Sequence, residues 1–171
     1  MKIIEGLKSI KNLNRKLLDI RNKISLYSAD FDCDTPMYPD QKRQVSAWLQ
    51  GSEDIVKEIS NITYRIHKTN INTEVTIVLG ANTVTKSIAE WLYRVNKLAS
   101  EEKATWEALN VRDIGAQNNF RLTGSTQEFK VKRRLYFEPA LRDKKIEAYS
   151  SEISEIHAKL EIVNATTDLA D

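Results

Sequence analysis

Apolar side chains recur at alternating three- and four-residue intervals along three stretches of the chain. Ile10, Leu13, Leu17, Ile20, Ile24 and Tyr27 form the first run. Val45, Trp48, Ser52, Ile55, Ile59, Ile62, Ile66 and Thr69 form the second, and Ile146, Tyr149, Ile153, Ile156, Leu160, Val163 and Thr167 the last. This spacing predicts helices with a coiled-coil-like seam rather than a generic buried face. A further helix is predicted from Ile88, Leu92, Val95, Ala99, Trp106 and Leu109. Its stripe is widened by Trp91 and Leu98 and interrupted at Glu102, the pattern of a helix packed on more than one neighbour.

Between the first two helices, "DFDCDTPMYPD" predicts a turn, with Pro39 or Asp40 opening the next helix. "EVTIVLGANTVT" reads as a short strand, a turn at Gly80 to Asn82, and a helix start with Thr85 as N-cap. "EFKVKRRLYFEP" alternates as a second strand before Pro139 opens the last helix, and "RDIGAQNNFRLTGSTQ" predicts an irregular stretch. The two strands are placed to pair and cap a bundle, or to protrude as an arm. No repeat or linker divides the chain. The expected fold is mainly α, a long-helix coiled-coil bundle of four helices with two short β-strands, as a single domain over residues 1–171.

Composition agrees with a helix-rich protein: 41% hydrophobic and 29% charged residues, with five Gly and three Pro in 171 residues. The net charge of +2 has no basic surplus, so no nucleic-acid partner is expected. The start, "MKIIEGLKSIKNLNRKLLDI", carries charges every few residues and has no signal-peptide core. No apolar run approaches the roughly 18 residues of a membrane span. With Cys33 as its single cysteine, the chain suits a reducing, cytoplasmic setting.

A search for catalytic chemistry finds little. His67 and His157 sit on separate helices without a second ligand at metal spacing, so no metal and no cofactor is expected. Cys33 lies among aspartates, which disfavour its thiolate. Phosphate-binding loops, dinucleotide turns and nucleophile elbows are absent from the sequence, and the expectation is a protein that is not an enzyme.

The polar residues collect at particular ends. In "NITYRIHKTNINTEV" the second seam runs into Arg65, His67, Lys68, Thr69, Asn70, Asn72 and Thr73. This crown has three readings. It is a helix stop, with Asn70 in a left-handed conformation and cations complementing the helix dipole; a polar layer that fixes register in an assembly; or the lining of a ligand cavity. The last seam turns polar in the same way at Asn164, Thr166 and Thr167. Arg133 and Arg134, in the basic strand, read either as charges protecting an edge or as an anion clamp. The candidate ligand site therefore comprises Arg65, Lys68, Thr69, Asn70, Arg133, Arg134, Asn164, Thr166 and Thr167.

The ending "KLEIVNATTDL", with "YRIHKTN", "GANTVTKSIAEWL" and "KRRLYFEPALRDKKIEAYSSEI", resembles in order and over nearly the whole chain the small helical family called septicolysin-like. The chain looks like a distant member. Members carry Trp where Ala165 stands here, and a more acidic third helix than the one around Leu92. The resemblance implies an elongated helical, oligomeric protein of unsettled function. The name suggests a lysin, but the sequence has no surface-seeking apolar face and no membrane partner is expected.

These patterns point to a homo-oligomeric, non-enzymatic binding protein. Its sharpest form sequesters a small anionic, nucleotide-like signal, in the manner of a viral anti-defence sponge. The alternatives are a structural or adaptor coiled coil with no small ligand, and a hydrolase with an unrecognised carboxylate site.

Overall fold

The computed structural model describes residues 1–109, 118–121, 128–131 and 134–170. The chain is mainly helical, as its seams require. Helix α1 (Ile3–Tyr27) and helix α2 (Gln41–Asn72) form an antiparallel hairpin of long helices. Along α2 every one of the eight seam positions is buried or half-buried. The burial deepens toward Ile62, Ile66 and Thr69, where, among the described residues, the hairpin meets the rest of the chain. At the far end, Tyr27, Tyr38 and Trp48 pack together, with Tyr38 edge-on to both others at ring separations of 5.7 and 5.4 Å. Asp40 opens α2 as expected, its carboxylate accepting from the Arg43 amide at 3.0 Å.

Strand β1 (Glu74–Leu79) follows, but it does not wait for the distant basic strand. It pairs at once with β2 (Asn82–Ser87), antiparallel, with Leu79 opposite Asn82. Gly80, at φ +58°, makes that tight return possible. Thr85 therefore lies in a strand, where its hydroxyl meets that of Thr76 at 2.8 Å, and is not a helix cap. The cap is Ser87, which shares a capping box with Glu90.

The third helical stretch has three consecutive pieces: α3 (Ile88–Tyr93), a π turn (Arg94–Leu98) and α4 (Ala99–Glu107). Trp91, which widens the predicted stripe, is fully buried and donates its indole N–H to the Val75 carbonyl at 2.9 Å. Leu98 faces outward. A second antiparallel pair joins β3 (Asn118–Arg121) to β4 (Glu128–Val131). Part of the stretch expected to be irregular is thus strand, and the basic strand is shorter than its sequence alternation predicts. Helix α5 (Pro139–Thr166) begins at its proline, as expected, and packs against α4 and then against α1 and β1. The core collects Ile3, Leu13, Ile62, Ile66, Val75, Ile77, Ile88, Trp91, Val95, Ile156, Leu160 and Leu169 from α1, α2, β1, α3, the π turn, α5 and the segment after it.

Candidate functional site

The crown of α2 sits where both chain ends converge. The helix does not stop at Asn70. It runs to Asn72, and Thr73 closes it with its amide on the Thr69 carbonyl at 3.0 Å. Arg65 and Thr69 stand one turn apart on the same face, and together they hold the segment after α5. The Arg65 Nε donates to the Ala170 carbonyl at 2.8 Å, and the Ala170 amide donates to the Thr69 hydroxyl at 2.8 Å. That hydroxyl in turn donates to the Arg65 carbonyl at 2.8 Å. Both backbone groups of Ala170 are thus satisfied by side chains of α2, as buried backbone requires.

The neighbouring contacts extend this clasp. Leu169 is buried, and its Cδ1 lies so close to Gly6 that a Cβ there would meet it at 3.1 Å. The Leu169 amide donates to the Met1 carbonyl at 2.8 Å and the Ile3 amide to the Thr167 carbonyl at 3.0 Å. The Lys2 ammonium reaches the Thr166 carbonyl at 2.8 Å and the Asp168 carboxylate at 2.6 Å. The lysine holds that carboxyl below the usual aspartate range.

Asn70 departs from this pattern. It is buried one turn beyond Ile66, and its Oδ1 has no hydrogen-bond partner. A buried carbonyl oxygen without a donor costs about 1–3 kcal/mol, so such an atom asks for an explanation. Lys68 precedes it by two positions, about 200° around the helix, and so presents to a different side. The crown therefore encircles the helix end; it is not a single wall.

The remaining predicted residues divide. Thr167 joins the clasp through its backbone, and Asn164 is half-buried one turn earlier on α5. Thr166 is exposed, and its hydroxyl donates back to the Ile162 carbonyl at 2.9 Å. Arg134 is exposed and is not brought to the crown. It precedes the start of α5, whose 28 residues extend about 40 Å, while the few residues between Arg134 and Pro139 reach back roughly 17 Å at most. Arg133 lies outside the described residues.

Sequence reasoning missed a second polar arrangement. The Arg94 guanidinium lies between two carboxylates. Its Nε and Nη2 donate to Glu152 at 2.7 and 2.9 Å, and its Nη1 and Nη2 donate to Glu102, both at 2.9 Å. The bonds to Glu152, then those to Glu102, raise the Arg94 pKa further, and Arg94 holds Glu102 below the usual glutamate range. The π turn between Arg94 and Glu102 advances fewer degrees per residue than an α turn and brings the two onto one side. The only signal in the sequence was Glu102 standing in an apolar stripe. Beside this cluster, a concavity of about 440 Å³ opens between Leu79, Gly80, Asn82 and Val84 of the first hairpin and Ala148, Ser151, Glu152 and Glu155 of α5.

Among the described residues, no group of three or more His, Cys, Asp and Glu is placed to hold a metal ion. No described helix is long and apolar enough to cross a membrane.

No protein-family model matches this sequence, and no curated protein does. Among solved structures, the chain is similar to the crystal structure of a functionally unknown conserved protein from Corynebacterium diphtheriae. The two share 17% identity and superpose with a TM-score of 0.66 over 99% of each chain. That likeness establishes a common fold along the whole length.

Proposed function

We propose that the protein is a non-enzymatic binding protein that acts as a homo-oligomer and takes a small anionic, nucleotide-like ligand at the crown end of α2. The observation that carries this reading is the buried Asn70 Oδ1 without a partner, set in a helix end that also bears Arg65 and Lys68. An acceptor wants an N–H or O–H donor, and cations at a helix C-terminus offset the partial negative charge that would otherwise repel an anion. A nucleotide offers both, a base or ribose donor and a phosphate. Thr69, Asn164, Thr166 and Thr167 supply the polar surroundings. Sequestration of such a signal, as in a viral anti-defence protein, is the form of the function that needs no catalytic group. The similarity to the septicolysin-like family, with its elongated oligomeric helices, belongs to the same reading.

A second reading draws on a different observation. Arg65 and Thr69 are already engaged by Ala170, which is how a purely structural coiled coil would use them. Thermal shift against nucleotides and cyclic dinucleotides, on wild type and Arg65→Ala, separates the two. A ligand at a hundred times its dissociation constant should add about 2.7 kcal/mol of stability to wild type. Arg65→Ala should lose roughly 1 kcal/mol of stability with its bond to Ala170, and weaken ligand binding by about ten- to a hundredfold. A loss of stability with no ligand shift in either protein would favour the structural coiled coil.

A further inference from the structure

Among the large apolar side chains exposed along the α1–α2 hairpin are Leu7 at 46%, Leu18 at 56%, Leu49 at 50% and Val56 at 50%. Helical geometry places them on one face. With about 100° per residue, Leu18 and Leu7 lie some 80–100° from the seam residue Leu17, and Val56 and Leu49 some 100–120° from the seam residue Ile55, in the same rotational sense. Because the two helices are antiparallel and share that seam, the same sense of rotation leads to the same face of the hairpin. The groove that opens there agrees. It is lined by Leu17 and Arg21 of α1 and by Ser52, Glu53, Val56 and Lys57 of α2, with a volume of about 350 Å³.

We infer that this face takes a second copy of the chain. The inference rests on the oligomeric part of the proposed function and names its surface. Charge complementarity selects the partner. In the groove Arg21 stands on the α1 side and Glu53 on the α2 side, and the same rotation brings Lys11 and Arg15 to this face of α1, while Asp54 and Glu58 turn away from it. A two-fold axis running along the hairpin lays each α1 antiparallel over the partner's α2. The groove residues show that Leu17 and Arg21 stand level with Ser52, Glu53 and Val56, so this arrangement keeps the matching heights together. Leu18 then meets the partner's Val56, and Arg21 faces the partner's Glu53. Each contact occurs twice, as in an isologous interface, and the product is a four-helix bundle.

Light scattering and sedimentation equilibrium on the full chain test this. Wild type should run at a multiple of 19.6 kDa. Leu18→Glu and Val56→Glu, both at positions exposed in the single chain, should keep the helical circular dichroism and raise the dissociation constant at least about tenfold. Leu26→Glu, at an exposed position about 180° from Leu17, should not. Arg21→Glu alone should weaken association, and adding Glu53→Arg should restore it; this charge swap carries the test if an apolar substitution unfolds the chain. A monomeric wild type would overturn both the surface and the oligomeric reading. An oligomer indifferent to Leu18→Glu, Val56→Glu and the charge swap, or equally sensitive to Leu26→Glu, would overturn the surface alone.

Discussion

At the scale of single residues, the crown and the Arg94 cluster show two uses of buried polarity. Thr69 sits on an apolar seam and is fully used, donating to its own helix and accepting from Ala170. Asn70, its neighbour, is not, and the proposed ligand contact starts from that difference. In a half-buried setting Arg94 ties its own helix to α5 by one bidentate pair, with Glu152, and makes a second with Glu102 one π turn and more along its own stretch. Arg94→Met should cost about 1–3 kcal/mol, discounted for the solvent that reaches Glu102, and leave two carboxylates side by side. The pH dependence follows from Glu102, whose folded carboxyl lies below its ordinary value of 4.5. A depressed acid contributes stability that is present above its unfolded pKa and is lost as pH falls through the folded one. Urea melts of wild type should therefore weaken below about pH 4.5, and Arg94→Met should lose less over that window. An acid slope unchanged by the substitution would contradict the assignment.

At the scale of elements, the long seams were legible and the local chain reversals were not. Three-four spacing located α1, α2 and α5, because a core-facing stripe constrains every turn. The run after Gly80 misled because Thr83, Thr85 and Lys86 resemble a polar helix start. In the structure they form β2, and the true cap lies two residues beyond Thr85, at Ser87. Ser87→Ala should cost roughly 1 kcal/mol, since the Glu90 amide loses the hydroxyl that caps it. Thr85→Ala, removing an exposed hydroxyl pair, should cost less, and a thermal melt giving the reverse order would place the cap back at Thr85. The π turn left no pattern, since a shift in backbone bonding leaves the apolar spacing nearly intact. The clasp around Leu169 was equally hidden, as one apolar residue between Asp168 and Ala170 carries no periodicity.

At the scale of the whole molecule, the fold joins a clasped core to a hairpin whose outer half, among the described residues, packs on itself. Ile62, Ile66 and Thr69 near the crown are buried, while Ile20, Ile24 and Ile55 stay half-buried in the hairpin. Periodicity located the seams, but Leu7, Leu18, Leu49 and Val56 lie outside them, so their exposure followed no three-four spacing. The candidate site was legible in part. Arg65 and Thr69 do come together with the segment that follows Thr167, whereas Arg134 was linked to them only by its charge, and charge carries no information about distance along α5.

Native mass spectrometry of the purified full chain tests the central claim, an oligomer that carries a small ligand, in one spectrum. The account predicts a species at a multiple of 19.6 kDa with an added mass of a few hundred daltons that is released on denaturation. A bare chain at 19.6 kDa, with nothing released, would contradict it.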